Sequence, residues 1–287
     1  MAILNKKYKW SAKDQTGMNL DLNEVSTSTG SQSANLVIRS GVLQPRQSYT
    51  FSLNVSQSGR VQWGSASITI LPNNPPHGGL CDLSPQSDIR LLDTLVTYNC
   101  SGWQDEESEA SQLIYTFQVA PCESTGPACP LLTLYRGTRS TYGTLVPMGI
   151  PSPVKSRPVI IVTVQVEDFL GAKVIALNRV LSVENPAGDK VASQWLTNKR
   201  RTELWALVQH GNPQEIIPYS IALTSQLNQM ESGQTARELK VRREIRENVT
   251  QALASLPVSS LMDVDQISSA LSLSTVCNPL PLNILSY

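Results

Sequence analysis

The sequence predicts a mainly β protein of antiparallel β-sandwiches, followed by an α-helical C-terminal unit. Up to about residue 185, short runs of β-branched and aromatic residues alternate with Gly and Pro, which is the pattern of strands and turns. Four of the five cysteines, Cys81, Cys100, Cys122 and Cys129, fall in that region. Beyond residues 185–188 the apolar spacing changes from period two to about three and a half, which indicates helices.

Residues 1–71 are predicted to be a partial β-domain, because about 70 residues are too few for a complete sandwich of roughly 100. The segment from Leu43 to Tyr49 is similar to the corner of fibronectin type III domains, in which a phenol bonds to an upstream backbone group. A tyrosine simply packed in a strand is the alternative. We expect this domain to be the least well ordered. Its strands are predicted at residues 36–38, 49–55 and 67–70.

Residues 72–185 are predicted to form a disulfide-stapled fibronectin-like β-sandwich. It begins with a linker from Pro72 to Gly79, because proline removes backbone donors and holds the chain extended. Glu167 to Ala172 is a hairpin connection in which Gly171 can take a positive φ. The strands are predicted at residues 94–98, 113–119, 131–135, 159–166 and 173–183.

Residues 186–287 are predicted to be a helical segment that forms a bundle. Asn212 is a helix cap followed by proline, and Thr235 to Glu238 is a capping box. Pro257 ends that helix, and a shorter one starts at Asp263. The run from Arg237 to Glu247 alternates in sign and is predicted to be a solvated face. The residues predicted inward are Ile216, Leu223, Leu227, Met230, Ile245, Val249, Ala252, Leu256, Val264, Ile267 and Leu271, and Val191, Trp195, Leu204, Trp205 and Val208 mark one or two helices upstream.

The clustered cysteines are predicted to form two disulfides, Cys81–Cys100 and Cys122–Cys129, out of three possible connectivities. Cys81 stands near the start of one strand and Cys100 ends the next, whereas the second pair flanks a Gly/Pro loop that suits a hairpin bridge. Zinc ligation is the alternative, but zinc sites use paired short spacings. Cysteines clustered in this way indicate an extracellular or lumenal compartment.

Three N-glycosylation sequons, at Asn54, Asn99 and Asn248, agree with that compartment. We expect all three side chains on accessible surface, because a glycan needs space in solvent. Asn99 directly precedes Cys100, whose bridging competes with glycan transfer.

An acidic loop supplies the candidate ligands for a metal. Asp105, Glu106 and Glu107 could bind calcium, together with Asp168 if the loops meet, but a solvated acidic loop is favoured and no metal is expected. Both histidines precede glycine, and no nucleophile elbow, phosphate loop or zinc-binding His-Glu pair is present. We therefore expect no catalytic residue, no enzyme activity and no cofactor.

The composition of the chain limits which kinds of partner we expect. Lys and Arg together number 23, and so do Asp and Glu, which gives no sign of a nucleic-acid partner. No apolar run reaches the roughly 20 residues that a membrane span needs. The N-terminus has no apolar core of the kind a signal peptide requires. We expect an internal piece, or a variant product, of a longer exported chain.

Six motifs in order support a family resemblance. They are Pro75-Pro-His-Gly-Gly-Leu-Cys81, Cys100-Ser-Gly-Trp-Gln-Asp105, Tyr135-Arg-Gly137, Asp168-Phe-Leu-Gly-Ala172, Ala176-Leu-Asn-Arg179 and Gly211-Asn-Pro-Gln-Glu-Ile-Ile-Pro-Tyr-Ser220. This succession resembles the receptor-for-egg-jelly (REJ) region of the polycystin-1 family, from about residue 36 to about residue 276. The specificity comes from the order of the motifs, since no single one suffices.

The resemblance implies a segment of a large membrane receptor. Its β-units would be fibronectin-like domains on the extracellular side of the plasma or ciliary membrane, and its helices would lead towards an autoproteolysis-inducing domain. The family assembles with polycystin-2-type cation (calcium) channels through transmembrane parts absent from this chain. Two features depart from the family: the self-cleavage tripeptide is absent, and the ending from Cys277 to Tyr287 differs. We predict that Cys277 is unpaired and lies beyond the last helix.

Three functions from different classes remain open. The leading prediction is a structural and interaction module that binds an extracellular protein or glycan, or senses force. The second is a regulatory segment that supports a self-cleaving receptor domain, which exposed apolar helix faces would favour. The third is a secreted module that binds glycan or calcium through the acidic loop.

Overall fold

The structure, a computed structural model, describes residues 6–57, 64–106, 109–122, 129, 131–149, 158–185, 195–229 and 235–275. The chain divides into two compact units, Met1–Asn74 and Pro75–Tyr287. Four residues named above, Glu107, Val191, Met230 and Cys277, lie outside the described residues, so what is predicted for them stays a prediction.

These two units differ from the three domains that the sequence predicts. The boundary after Asn74 lies within the predicted linker, whereas none separates the helices from the strands at residue 185. The reason is packing, because buried side chains of strands and helices, Phe117 and Ile221 among them, belong to one hydrophobic core. The helical segment is therefore part of the second unit.

The first unit contains one antiparallel sheet. Its strands are β1 (Lys6–Asp14), β2 (Asn19–Leu20), β3 (Tyr49–Gln57) and β4 (Gly64–Ile70), in the order β2-β1-β3-β4. The sequence predictions do not include β1, in which Tyr8, Trp10 and Ala12 are at least partly buried and the intervening Lys9 and Ser11 are exposed. The strand predicted at residues 36–38 is instead a single bridge between Ile38 and Thr27.

Tyr49, at the start of β3, closes the corner that the sequence predicts. Its side chain is buried, and the phenol oxygen accepts a hydrogen bond of 3.0 Å from the Gln44 backbone N–H. The phenol also donates to the Gln47 side chain at 3.0 Å. The predicted bond to an upstream backbone group is confirmed, and it holds the turn that leads into β3.

The described residues of the second unit form two sheets. The first consists of β5 (Leu80–Ser84), β7 (Val96–Ser101) and β10 (Thr141–Thr144), in the order β10-β7-β5. The second consists of β6 (Ile89–Arg90), β8 (Ile114–Ala120), β9 (Leu132–Gly137), β11 (Val159–Glu167) and β12 (Lys173–Glu184), in the order β6-β12-β11-β8-β9. Tyr98 from the first sheet and Phe117 from the second are fully buried, with ring centroids 5.6 Å apart.

One strand pair departs from the predicted antiparallel arrangement. The two residues of β6 run parallel to Val183 and Glu184 of β12, whereas the other pairs in the second unit are antiparallel. Since β6 lies far from β12 in sequence, no hairpin constrains its direction. The mainly antiparallel prediction is otherwise confirmed.

Helices follow the strands. Residues 195–199 are helical and continue through a π-helical turn, Arg200–Leu204, into α1 (Trp205–His210), which ends at Gly211 with a φ of 68°. The others are α2 (Pro213–Gln229), α3 (Ala236–Ala254) and α4 (Leu261–Thr275). The caps predicted for α2 and α3 are confirmed: Asn212 accepts from the Gln214 N–H, and Thr235 and Glu238 form the capping box. Among the described residues, no helix is long and apolar enough to cross a membrane.

The start of α4 corrects the prediction. Asp263 is the third residue of the helix rather than the first, because its carboxylate accepts from Ser260 N–H while the Ser260 hydroxyl accepts from Asp263 N–H. Hydrogen bonds from Ser259 and Ser260 hold the pKa of Asp263 below its ordinary value. Val264, predicted inward, is 47 % exposed, whereas Ile267 is buried.

Candidate interaction surfaces

Both predicted disulfides are present in the structure. Cys81 and Cys100 lie directly opposite each other on β5 and β7, with Cα atoms 4.1 Å apart. The Cys100 N–H donates to the Ser140 carbonyl on the other side of β7, so the two cysteines form a non-hydrogen-bonded pair with close side chains. The Cα atoms of Cys122 and Cys129 are 6.0 Å apart.

The three sequon asparagines lie on different elements. Asn99 is exposed on β7, where its side-chain oxygen accepts from the Thr141 hydroxyl at 2.7 Å. Asn248 is exposed on α3, and its amide donates to the Glu244 carbonyl one turn earlier. Asn54, on β3, is half-buried rather than fully accessible.

The structure gives two of the acidic candidates, Asp168 and Glu106, other partners. Asp168 is buried, and its Oδ1 accepts from the backbone N–H groups of Leu170 and Ala172 at 2.8 and 3.0 Å, which closes the β11–β12 turn. Glu106 lies 3.5 Å from the His77 imidazole. Within the described part of the chain, no group of three or more His, Cys, Asp or Glu side chains could hold a metal ion.

The same turn presents two apolar side chains to solvent. Phe169 and Leu170 are each 57 % exposed, and Gly171 takes a φ of 92°, which favours glycine. The Asp168 carboxylate thus positions an exposed Phe-Leu pair at the tip of the hairpin.

A cleft with a volume of about 530 Å³ lies between β10 and the helices. Part of its lining is apolar and comes from Leu92, Leu95, Leu145 and Leu207. Negative charge comes from the carboxylates of Asp93, Glu203 and Glu215. The Lys199 ammonium lies 2.8 Å from both Asp93 and Glu203. Partial burial alone would lower the pKa of Lys199, but these two hydrogen bonds leave it above its ordinary value. This acidic cleft therefore combines an apolar lining with three carboxylates, two of which are paired with Lys199.

A groove of about 640 Å³ lies between α1 and α3. Leu204 and Ala252 are buried in its lining, whereas the Trp205 indole is 64 % exposed. Arg200 and Glu244, 3.7 Å apart, join the two helical segments beside the groove. Its polar lining consists of Gln209, Asn248, Gln251 and Ser255 in addition to Arg200.

A proline inside α2 determines how that helix binds the β region. Pro218 has no N–H, so the Gln214 carbonyl loses its donor within the helix. The Tyr142 phenol of β10 donates to that carbonyl at 2.8 Å, while its ring stacks on Tyr135 at a centroid distance of 4.0 Å. A hydrogen bond between elements thus replaces the one that proline removes.

Two arginines of α3 correct the predicted solvated face. Arg242 donates to the Leu227 carbonyl at the end of α2. Arg246 donates to the Ser274 carbonyl at the end of α4 at 2.9 Å, and to the Asn228 side chain at 2.7 Å. Cations favour helix C-termini, where carbonyls lack helical donors. Four-residue spacing of the two arginines is the sequence signal that could have shown this shared direction.

Comparisons with known proteins extend these observations. The sequence profile of the REJ domain family matches residues 3–222. Human polycystin-1 is 36% identical over 276 residues, which cover 93% of this chain and 6% of that protein's length.

Two solved structures show weak likeness. The FN1–FN3 domains of chicken CNTN1 are 15% identical, with a TM-score of 0.24 over 63% of this chain and 57% of theirs. A β-1,2-glucanase from Parabacteroides distasonis is 8% identical, with a TM-score of 0.22 over 88% of this chain and 39% of its own. At these scores neither structure bears on the function of the chain.

Proposed function

The chain belongs to the REJ domain family, and on that premise we propose that it is an extracellular structural and interaction module of a polycystin-1-like membrane receptor. The observation that carries the proposal is the 36% identity to human polycystin-1, which extends over both compact units. The disulfides and the exposed Asn99 and Asn248 support an oxidising, glycosylating compartment.

The proposed role is to hold a defined spacing in the ectodomain, and to bind a protein or glycan ligand or transmit force. Support comes from the second unit, in which strands and helices share one core and disulfides add covalent links. We assign its two sheets to a fibronectin type III-like sandwich and its helices to a bundle. The Phe169–Leu170 tip and the acidic cleft are the candidate ligand surfaces.

The receptor as a whole would assemble with polycystin-2-type cation channels at the plasma or ciliary membrane, through segments outside this chain. The proposal assigns no catalysis, no cofactor and no nucleic-acid partner to the present residues. The zero net charge gives no sign of a nucleic-acid partner.

A second function, support of a self-cleaving receptor domain, is favoured by apolar side chains that the helical region leaves in solvent. Trp205, Leu239 and Leu261 are 64, 56 and 88 % exposed. A separate domain that covers them would remove this apolar surface from water. Co-purification of a downstream domain that depends on these three side chains would favour this function over spacing alone.

Surface labelling tests the proposed location. Cells that express the whole receptor containing this chain are treated with a membrane-impermeant amine reagent, and labelled peptides are read by mass spectrometry. We expect labelling of Lys173, which is exposed on β12, and little of Lys199, which is paired with two carboxylates. Labelling of Lys173 only after the membrane is permeabilised would refute an extracellular module.

A further inference from the structure

The groove between α1 and α3 leaves apolar side chains exposed to water, and a bound group would cover them. Trp205 and Val208 are 64 and 37 % exposed beside the buried Leu204 and Ala252. A tryptophan side chain buries about 150–250 Å² when covered, so its exposure leaves much apolar area in water. The opposite wall carries Asn248, which is the acceptor of the sequon Asn-Val-Thr.

We propose that an N-linked glycan on Asn248 occupies this groove, with its first N-acetylglucosamine covering the Trp205 indole. The proposal rests on the proposed function, because glycan transfer requires the exported compartment. In the transfer, the Asn248 amide nitrogen bonds to C1 of the sugar of a lipid-diphosphate-linked oligosaccharide. The nitrogen loses one proton, and the lipid diphosphate leaves.

The hydrogen bonding of Asn248 suits that attachment. Its amide nitrogen carries two hydrogens, of which one donates to the Glu244 carbonyl. Glycosylation replaces one hydrogen and leaves the other free to keep this bond. The retained bond fixes the side chain on α3, so the sugar starts from a defined position at the groove.

The lining suits a sugar in two ways. The axial C–H bonds of N-acetylglucosamine and its acetamido methyl group form apolar surface that matches the indole of Trp205. The amides of Gln209 and Gln251 and the hydroxyl of Ser255 can pair with sugar hydroxyls. The Arg200 guanidinium is already paired with Glu244, so the groove offers mainly neutral partners.

The experiment uses the full chain secreted from mammalian cells whose glycans can be trimmed to one sugar. Hydroxyl-radical oxidation followed by peptide mapping measures solvent access to Trp205 directly. We compare the glycosylated protein with Asn248→Gln, and Thr250→Ser serves as the control that retains the sequon. Asn99→Gln is the matched control, because it removes a glycan from an exposed position on β7, outside the groove.

We expect the glycan to lower oxidation of Trp205 to below about half of its level in Asn248→Gln, because sugar covers much of the indole area. The protection should survive trimming to one sugar and should not change in Asn99→Gln. Oxidation of Trp205 that is equal with and without the glycan overturns the inference. If Trp205 is protected in Asn248→Gln as well, a protein segment covers the groove instead, and the inference is wrong.

Glycopeptide mapping separates this inference from the function on which it rests. An unmodified Asn248 beside a glycan at Asn54 or Asn99 overturns the inference and leaves the extracellular assignment intact. No glycan at any of the three sites overturns the inference and also weakens that assignment.

Discussion

Replacement of Tyr142 by phenylalanine removes the hydrogen bond that ties α2 to β10 while it preserves the stack on Tyr135. The phenol is the donor that the Gln214 carbonyl receives in place of the missing Pro218 N–H. Loss of such a bond leaves a partly buried carbonyl without a partner, which costs about 1–3 kcal/mol. For a unit of about 200 residues, a loss of about 2 kcal/mol lowers the melting temperature by about 4–8 °C.

Pro218→Ala makes this prediction specific. Alanine restores an N–H that can donate to the Gln214 carbonyl within α2, so that carbonyl keeps a donor after Tyr142→Phe. Urea denaturation of the four proteins in this cycle gives the coupling energy between the two positions. We expect Tyr142→Phe to cost about 1 kcal/mol less in the Pro218→Ala background than in the natural one.

Tyr98→Phe is the matched control, because the Tyr98 phenol donates to the Arg139 carbonyl at 2.7 Å and not to a carbonyl of α2. Its cost should be the same in the natural background and in the Pro218→Ala background. If the cost of Tyr142→Phe is also equal in both backgrounds, within about 0.3 kcal/mol, then the proline has not created the acceptor and the reasoning fails.

Three further predictions concern stability. Replacing Cys81 and Cys100 together by alanine should lower the free energy of unfolding by about 3 kcal/mol, because the two cysteines are 19 positions apart in the chain; unchanged urea denaturation would refute this. Arg246→Met should cost about 2 kcal/mol in the same assay, because it loses two charged hydrogen bonds, whereas the exposed Arg243→Met should cost less than about 0.5. Burial raises the pKa of Tyr142 from 10.0 to about 12, so its neutral phenol stabilises the fold fully below pH 10, and this contribution is lost as the pH rises towards 12. Between pH 10 and pH 12, the melting temperature of Tyr142→Phe should therefore fall less steeply than that of the natural protein.

Local signals were readable from the sequence because the groups that interact are neighbours in the chain. The capping box of Thr235 and Glu238 and the Tyr49 corner each span a few residues, and both form as predicted. The bridge of Cys81 to Cys100 is also of moderate range, since the two cysteines are 19 positions apart and lie opposite each other on β5 and β7.

Contacts between distant elements were not readable in the same way. The hydrogen bond from Tyr142 to Gln214 joins residues 72 positions apart, and the sequence around neither residue indicates that the other is its partner. The strand β1 was missed because lysine is depleted in strands, although its polar residues alternate with Tyr8, Trp10 and Ala12. Helix α2 is buried on all sides from Ile216 to Leu227, which a single predicted apolar face does not indicate. This all-round burial is why the helices join the β region.

The candidate surfaces also combine local signals, which the sequence shows, with long-range contacts, which only the structure shows. The three sequons are visible in sequence, but only the structure places Asn248 in one groove with Trp205. The sequence offers Asp168 only as a candidate calcium ligand if two loops meet, and its position three residues before Gly171 also fits a turn in which a carboxylate accepts from the backbone. That local alternative is what the structure shows.

The cross-strand bridge between Cys81 and Cys100 has a mechanical consequence. Tension that enters the second unit at Pro75 reaches Cys81 after six residues and then passes through the sulfur atoms to Cys100. The hydrogen bonds between β5 and β7 therefore carry no peeling load beyond the bridge. In a single-molecule pulling experiment, the segment between the cysteines, 19 positions long, cannot extend while the bridge is intact. The contour length gained on unfolding is therefore shorter by about 65 Å until a reductant is added.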